Sequence, residues 1–389
     1  MALQPGRHKR AEGGHPWVYS NEIQMNEAAK ALPAGSLVTL RAAGGQPLGV
    51  ATFNPHTLVS ARFLDRHWDC KIDADFLASR LEAALAIRGR LYPEPYYRLI
   101  HAEADGLPGL VVDRFGDTLV CQLNTAGMMG LEGALIQAFD IVLHPQAIVF
   151  RNDSPARGME GLEPETRVVR GALDGPIELL ENGAVLFADL AGGQKTGWFY
   201  DQRDNRRFIK DLAQGARVLD LYCFAGGFAV EAALGGAREV LAIDRSEAAL
   251  ALASKAAERN GVADRCRFLR ADVFDELQRL ASQGERFDIV IADPPAFIKS
   301  RKDLGPGLRG YRKLARMSAA VVAKGGYLLA ASCSHNASPE DFAEAVRRGV
   351  QDAGRTGRIL RQAGAAPDHP VHPFLPESAY LKAEVLALD

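Results

Sequence analysis

Arg217-Val-Leu-Asp-Leu-Tyr-Cys-Phe-Ala-Gly-Gly-Phe228 is the stretch on which the fold turns. Five residues of strand character carry an acid near their end, and a glycine pair then opens a helix. The same beat continues on both sides. A helix is predicted over 201–213, a strand over 217–221, a helix over 226–234 and a strand over 239–243. Then come a helix over 246–260, a strand over 267–269, a helix over 273–282, a strand over 287–292, a helix over 309–323 and a strand over 327–331. Such alternation implies an α/β fold, a doubly wound and mostly parallel sheet covered on both faces by helices.

The chain before this block reads differently. The runs 37–40 and 48–53, joined by Ala42-Ala-Gly-Gly-Gln-Pro47, and the alternating run 58–64 predict a small β-rich domain over 1–73. A helix follows over 75–91, with Phe76, Leu77, Leu81, Ala84, Leu85 and Ile87 at helical spacing. The rest of 74–188 reads as an α+β middle domain. It has two strands around a Gly-Asp turn between 101 and 123, a helix near 128–140, a strand at 147–150 and a hairpin at 178–187 turning on Asn182-Gly183. Residues 189–389 form the third domain, in keeping with 389 residues at about 150 per domain.

Composition narrows the function classes. Hydrophobic residues make up 47% and charged residues 24%, which excludes a mostly disordered chain. With 46 Lys and Arg against 48 Asp and Glu, any nucleic-acid binding must come from local patches. The five cysteines, at 70, 121, 223, 266 and 333, contain no C-x-x-C spacing, so no metal site and no disulfide framework is expected. The N-terminus has no apolar signal core, and no run of about 18 apolar residues crosses a membrane. A cytoplasmic location is expected, and a homodimer is compatible with the sequence.

In a doubly wound sheet ligands bind beyond the carboxyl ends of the strands. Those ends are acidic here: Asp220, Asp244, Asp272 and Asp293 follow the first four strands. A dinucleotide reading fails because Gly226-Gly227 is not a G-x-G-x-x-G loop, so a pyrophosphate has no cradle. Four acids suit a ligand with a ribose, an adenine amine, an α-amino group and a sulfonium, which describes S-adenosylmethionine. The sequence here resembles the class I S-adenosylmethionine-dependent methyltransferases and their Rossmann-like fold. The resemblance implies that Asp244, with Arg245 beside it, binds the ribose hydroxyls and that Asp272, with Val273, receives the adenine amine. It also implies that Asp220, Cys223, Phe224, Ala225 and Gly226 meet the methionine part, and it brings Gln202 and Arg203 near the cofactor. Taken singly, each acid could equally be a helix cap or a solvated strand end.

Asp293-Pro-Pro-Ala-Phe297 is more specific. Pro294 and Pro295 stiffen the backbone, Asp293 can accept from an amine, and Phe297 offers a face to a base. A rigid turn with a core Phe is the alternative. Ala331-Ser-Cys-Ser-His335 follows the fifth strand, across the same cleft as Asp293. Methylating an exocyclic amine needs no protein nucleophile. Carbon C5 of a pyrimidine does, because a thiolate must first add at C6. Cys333 is therefore the candidate nucleophile, with Asp293 on the cytosine N3/N4 edge. Local positive charge would help ionise the thiol, from His335 or the basic run after Phe297.

Gly193-Gln-Lys-Thr-Gly-Trp-Phe-Tyr-Asp-Gln-Arg-Asp-Asn205, Leu219-Asp-Leu-Tyr-Cys-Phe-Ala-Gly-Gly-Phe228, Asp293-Pro-Pro-Ala-Phe297 and Ser332-Cys-Ser334 together resemble the bacterial large-subunit ribosomal RNA cytosine-C5 methyltransferases. Gly6-Arg-His-Lys-Arg10 and His15-Pro-Trp-Val-Tyr-Ser-Asn21 are similar to the start of the PUA domain of that family. His369-Pro-Val-His372 and Pro376-Glu-Ser-Ala-Tyr-Leu-Lys382 are similar to its tail. The resemblance implies a nucleophilic Cys333 and, as substrate, 23S rRNA or a large-subunit precursor. A related guanine-methylating family shares the Gln194–Asn205 stretch, and an inactive RNA-binding assembly factor is the non-enzymatic alternative.

The RNA would meet local charge. Between 299 and 316 stand Lys299, Arg301, Lys302, Arg309, Arg312, Lys313 and Arg316, against Asp303 alone, beside the expected target pocket. Arg7, Lys9 and Arg10, near Trp17 and Tyr19, are a second candidate surface. Such runs are also commonly plain solvated faces.

Overall fold

In a computed structural model, which describes residues 1–193 and 196–389, the chain forms two compact units. Gln194 and Lys195, part of the 193–205 motif, lie outside the described residues.

The first unit comprises Met1–Gly175, Leu190–Trp198 and Pro367–Pro376. It holds two sheets. Strands β1 (Trp17–Tyr19), β2 (Ser36–Arg41), β3 (Pro47–Phe53) and β4 (Val59–Asp65) form an antiparallel sheet in the order β1-β4-β3-β2. It closes over a core that includes Leu3, Val18, Ile23, Leu40, Ala51 and Phe53. Helix α1 (Ala74–Leu91) starts at Asp73, whose carboxylate accepts from Phe76 N. It packs with α2 (Glu132–Val142) on the sheet of β5 (Tyr96–His101), β6 (Leu110–Phe115), β7 (Thr118–Leu123), β8 (Ala147–Asn152) and β9 (Glu165–Arg170). The two cores abut closely: a Cβ on Gly127 would meet Thr52 at 2.3 Å, and the indole of Trp17 donates to Glu103 at 2.8 Å.

The second unit comprises Pro176–Asp189, Phe199–Ala366 and Glu377–Asp389. This differs from a boundary at 188/189. The hairpin of β10 (Ile177–Glu181) and β11 (Ala184–Ala188) turns on Asn182-Gly183, both at positive φ as expected, but belongs to the second unit. Val185 exchanges two backbone hydrogen bonds with the Asn260 side chain, at 3.0 and 2.6 Å, and Glu181 takes Arg206. Segment 190–198 goes with the first unit, where Arg151 holds the carbonyls of Leu190 and Gly193 at 3.0 and 2.7 Å.

The second unit is built on a seven-stranded sheet. Its strands are β12 (Arg217–Leu221), β13 (Glu239–Asp244), β14 (Cys266–Arg270), β15 (Phe287–Ala292), β16 (Val322–Ser332), β17 (Gly357–Ala363) and β18 (Lys382–Leu388), in the order β14-β13-β12-β15-β16-β18-β17. Strands β12 to β16 pair parallel, and β18 is inserted antiparallel between β16 and β17. The helices are α3 (Arg203–Leu212), α4 (Gly227–Leu234), α5 (Glu247–Arg259), α6 (Val273–Ser282), α7 (Leu304–Val321) and α8 (Pro339–Asp352). The central strands are buried on both faces: Val218, Leu219, Leu221, Ile289, Val290 and Ile291 have no exposed surface. Each such side chain contributes about 1.5–3 kcal/mol of transfer free energy. The order reverses between β12 and β15, which places the ligand crevice there.

Helix α7 begins earlier than predicted. Ser300 and Asp303 form a reciprocal cap just ahead of it, and Pro306 sits in its first turn, where a missing N–H costs nothing. Gly307 is needed there, because a Cβ would meet the Ile298 side chain at 2.2 Å. The pairing of β17 and β18 had no counterpart in the predicted elements.

Candidate active site

The loop after β12 is under local constraint. Tyr222 (φ 61°), Phe224 (φ 49°) and Gly226 (φ 79°) are all left-handed. For the two non-glycine residues this costs about 1–3 kcal/mol each. Hydrogen bonds hold the turn: Cys223 N donates to Ile243 O (3.0 Å), Gly226 N to Cys223 O (2.8 Å) and Phe224 N to the Asp244 carboxylate (2.9 Å). A side chain at 226 is excluded twice, by φ and by Ala253, which a Cβ would approach to 2.7 Å. Ala225 and Cys223 are buried beneath the turn.

Asp220 lies at the end of β12 and is 1% exposed. Its Oδ2 has no hydrogen-bond partner. Burial first, and then the nearby Asp293 carboxylate, push its pKa well above the usual carboxylate range. An orphaned acidic oxygen beside a second acid is a site short of positive charge. It fits a cationic ligand such as S-adenosylmethionine, with its ammonium and sulfonium.

Asp244 is fixed by Phe224 N at one oxygen and by Ser246 N (2.8 Å) at the other, and each oxygen keeps lone pairs for hydroxyl donors. Asp272 caps α6 through Phe274 N (2.9 Å) and Asp275 N (3.1 Å), and it pairs with exposed Arg245. Burial pulls its pKa up, but the Asp275 N–H and Arg245 outweigh that and hold it below the usual range. The capping reading of Asp272 is thus realised, and Val273 is buried behind it.

Gln202 and Arg203 are buried at the start of α3. Gln202 accepts from Asn205 (2.7 Å), and the Arg203 guanidinium lies near Glu181 (3.4 Å) and over the Tyr200 ring. Glu181 also takes Arg206, so one β10 acid pairs with both Arg203 and Arg206. Within the helix Arg207 and Asp211 pair i,i+4 at 3.1 Å.

Across the sheet, register pairs Ala292 with Ala330, so the segments after β15 and β16 leave the sheet side by side. Asp293 is half-buried, Pro294 buried and Pro295 exposed. Half-buried Phe297 lies 4.8 Å from the ring of Tyr311 on α7. The Tyr311 hydroxyl is a hub. It receives a hydrogen bond from Ser332 Oγ (2.8 Å), shares one with Ser334 Oγ (2.8 Å) and takes a long one from Phe297 N (3.4 Å), while Ile298 N donates to Ser334 Oγ at 3.2 Å. Both serines are sealed, and Cys333 between them is only half-buried. Ser-Cys-Ser is therefore two anchors around one partly open thiol, tied through Tyr311 to the loop that carries Asp293.

A residue not anticipated from sequence completes this end. Lys382, the first residue of β18, is 7% exposed, and its ammonium donates to Ser334 O (2.6 Å) and Ala337 O (3.0 Å). In the sequence it stands only at the end of the tail motif 376–382, ahead of the largely apolar stretch 383–388. His335, by contrast, is exposed and stacks on Tyr380 at 5.0 Å.

The basic run divides. Lys299, Arg301, Lys302 and Arg309 are exposed without a carboxylate partner among the described residues, since Asp303 is spent on Ser300. Arg312 is instead held by Asp352 through two bonds (2.6 and 2.8 Å), and Lys313 lies over Phe274 at 4.6 Å. Exposed Arg7 and Lys9 remain together in the first unit, whereas Arg10 pairs with Glu22 and covers Tyr19. Cys121 is buried, and Cys70 and Cys266 are half-buried. No cluster able to hold a metal ion occurs among the described residues, and no helix is long and apolar enough to cross a membrane.

The profile of the S-adenosylmethionine-dependent methyltransferases matches residues 166–370, and that of a PUA-like domain matches residues 1–66. The sequence is 38% identical to a ribosomal RNA large subunit methyltransferase I of Erwinia tasmaniensis, over 98% of this chain and 97% of that one. It is 36% identical to the protein of the same name from Aeromonas hydrophila, over 99% and 98%. Among solved structures, a chain from Streptococcus mutans assigned to the S-adenosylmethionine-dependent methyltransferases superposes with a TM-score of 0.83 at 20% identity, over 100% of this chain and 99% of that one. Another, assigned as a methyltransferase and crystallised with S-adenosylhomocysteine, gives 0.85 at 20% identity with the same coverage.

Proposed function

The chain belongs to the ribosomal RNA large subunit methyltransferase I family, S-adenosylmethionine-dependent enzymes with a PUA-like domain, and from that premise we propose that it methylates C5 of a cytosine in 23S rRNA through a transient Cys333–C6 bond. One observation carries the choice of C5: a half-buried thiol between two sealed serines, just past the end of β16, the strand next to the one that leads into Asp293. A guanine N-methyltransferase has no use for that thiol.

When bound, S-adenosylmethionine supplies an electrophilic methyl group. Asp220 answers its positive charge, Asp244 its ribose hydroxyls, and Asp272 the adenine edge. The target cytosine, turned out of its stack, rests on Phe297 with its N3/N4 edge at Asp293. Cys333 as thiolate adds to C6, which breaks the C5=C6 π bond and makes C5 nucleophilic. After C5 is methylated its proton goes to a base, the Cys333–C6 bond breaks and the double bond returns. Lys299, Arg301, Lys302 and Arg309 hold the phosphates beside the pocket, and Arg7 and Lys9 give the PUA-like domain its own hold on the RNA. The enzyme works in the cytoplasm, on 23S rRNA or a large-subunit precursor.

Mapping 5-methylcytosine in 23S rRNA from a deletion strain, complemented with wild type or with Cys333→Ala, tests this reading. One site should vanish on deletion and return only with wild type. Its return with the alanine variant would remove Cys333 from the chemistry.

A further inference from the structure

A thiol that attacks C6 must be ionised near neutral pH, and a free cysteine, with a pKa of about 8.5, mostly is not. Of the two sources of positive charge expected from the sequence, His335 is exposed and stacks on Tyr380, and the basic run is exposed as well. Among the described residues, Lys382 is a buried cation at this end of the sheet. It sits where β18 runs antiparallel to β16, with Lys382 opposite Ser332 in the register. Its ammonium has three N–H donors, and the carbonyls of Ser334 and Ala337, just past Cys333, take two of them.

We infer that Lys382 is a positioning residue for the reaction, whose buried ammonium staples the turn after Cys333 and holds the thiol as a thiolate. The inference rests on the reading of Cys333 as the nucleophile. Two further points support it. Burying an ammonium is costly unless anionic or carbonyl groups surround it, and two carbonyls alone leave its charge uncompensated. Burial lowers the Lys382 pKa, and a charge on Cys333 acts in the opposite direction. That stabilisation is mutual, so the ammonium favours the thiolate as much as the thiolate favours the ammonium. Among the described residues, the titratable groups near this end of the surrounding elements include Asp293 after β15, Tyr311 on α7, His335 beyond Cys333, Tyr380 before β18 and Glu384 within it. Tyr311 is tied to the two serines, Tyr380 to Asp201 at 2.5 Å, and Glu384 to Gln362 at 2.8 Å. Asp293 opposes thiolate formation, which makes a compensating cation the more necessary.

The test is the rate of iodoacetamide labelling of Cys333, read by peptide mass spectrometry against pH in the full-length protein. Wild type, Lys382→Met and Lys382→Arg are compared, with melting curves for each. In wild type Cys333 should titrate below an ordinary thiol. In Lys382→Met the profile should move up by about one unit, with labelling at neutral pH falling about tenfold. The acid limb of kcat should move with it, the KM for S-adenosylmethionine should stay unchanged, and Lys382→Arg should restore part of the shift. Wild-type Cys333 titrating at or above the ordinary thiol value would overturn the inference even if Lys382→Met fails to fold. So would a loss of kcat with no change in either pH profile. Labelling does not require turnover. A Cys333→Ala enzyme that still methylates would therefore sink the C5 reading and leave the thiol measurement standing as a separate result.

Discussion

Cys223 and Cys333 follow β12 and β16 at the same edge of one sheet, and their surroundings differ in every respect that matters to a thiol. Cys223 is buried under a turn braced by left-handed residues. Burial first, then the charges of Asp220 and Asp244, push its pKa well up. Cys333 is half open, its neighbours are clamped by Tyr311, and a lysine ammonium holds the turn behind it. Two other thiols repeat the first pattern: burial drives Cys121 up, and Cys266 to about 12. Sequence position beside the cleft is shared by Cys223 and Cys333. On the proposed reading, solvation and a buried ammonium behind the turn separate the packing sulfur from the reactive one.

The strongest way to break this contrast is to delete each sulfur. Cys333→Ala should cost at least about a thousandfold in methyl transfer to rRNA, followed with a labelled methyl group, while calorimetry finds cofactor affinity intact. Cys223→Ala should lower activity less than about tenfold, because a small buried sulfur is replaceable by another small apolar group. Comparable losses in the two would erase the distinction.

Asp220→Asn probes the negative side of the same cleft and should have the next largest effect. Removing the orphaned charge should weaken S-adenosylmethionine binding by about 10–100-fold. It should also raise the melting temperature of the ligand-free protein. The sign follows from the raised pKa: folded Asp220 holds its proton to higher pH than the unfolded chain. Its ionisation therefore destabilises the fold as pH rises through the folded value, and the amide escapes that penalty. A variant that binds more weakly but melts lower in the ligand-free state would mean that Asp220 is structural.

How much of this was readable from sequence depends on the range of the interaction. The parallel sheet was legible because apolar strand runs and helical spacing are local, as were the acidic strand ends and the Asn182-Gly183 turn. Cys333 could be proposed from the sequence because methyl transfer to C5 asks for a thiol. The start of α7 was hidden by Gly305, Pro306 and Gly307, which look like a break and are made helical by a cap and a close approach to Ile298. Lys382 stands out in the sequence only as part of a tail motif. Its role arises from a strand inserted antiparallel beside one some fifty residues earlier, a pairing that leaves no local mark. The division of the basic run was hidden for the same reason, since Asp352, which holds Arg312, comes from another helix.

Tyr311→Phe sharpens the contrast at the Cys333 end. It leaves the ring against Phe297 and removes only the hydroxyl, so Ser332 and Ser334 lose their shared partner inside a buried site. A stability loss of about 1–3 kcal/mol is expected from the unpaired hydroxyls. With the thiol no longer fixed against the Asp293 loop, kcat should fall about tenfold while cofactor affinity holds. The smallest effects belong to the surface. Replacing Lys299, Arg301 and Lys302 together by alanine should weaken RNA binding and reduce the slope of log affinity against log salt by about 0.7 for each phosphate no longer neutralised. Arg312→Ala should leave that slope unchanged, because Asp352 already holds the guanidinium. An equal change in slope for Arg312 would return the whole run, rather than its first half, to the RNA surface.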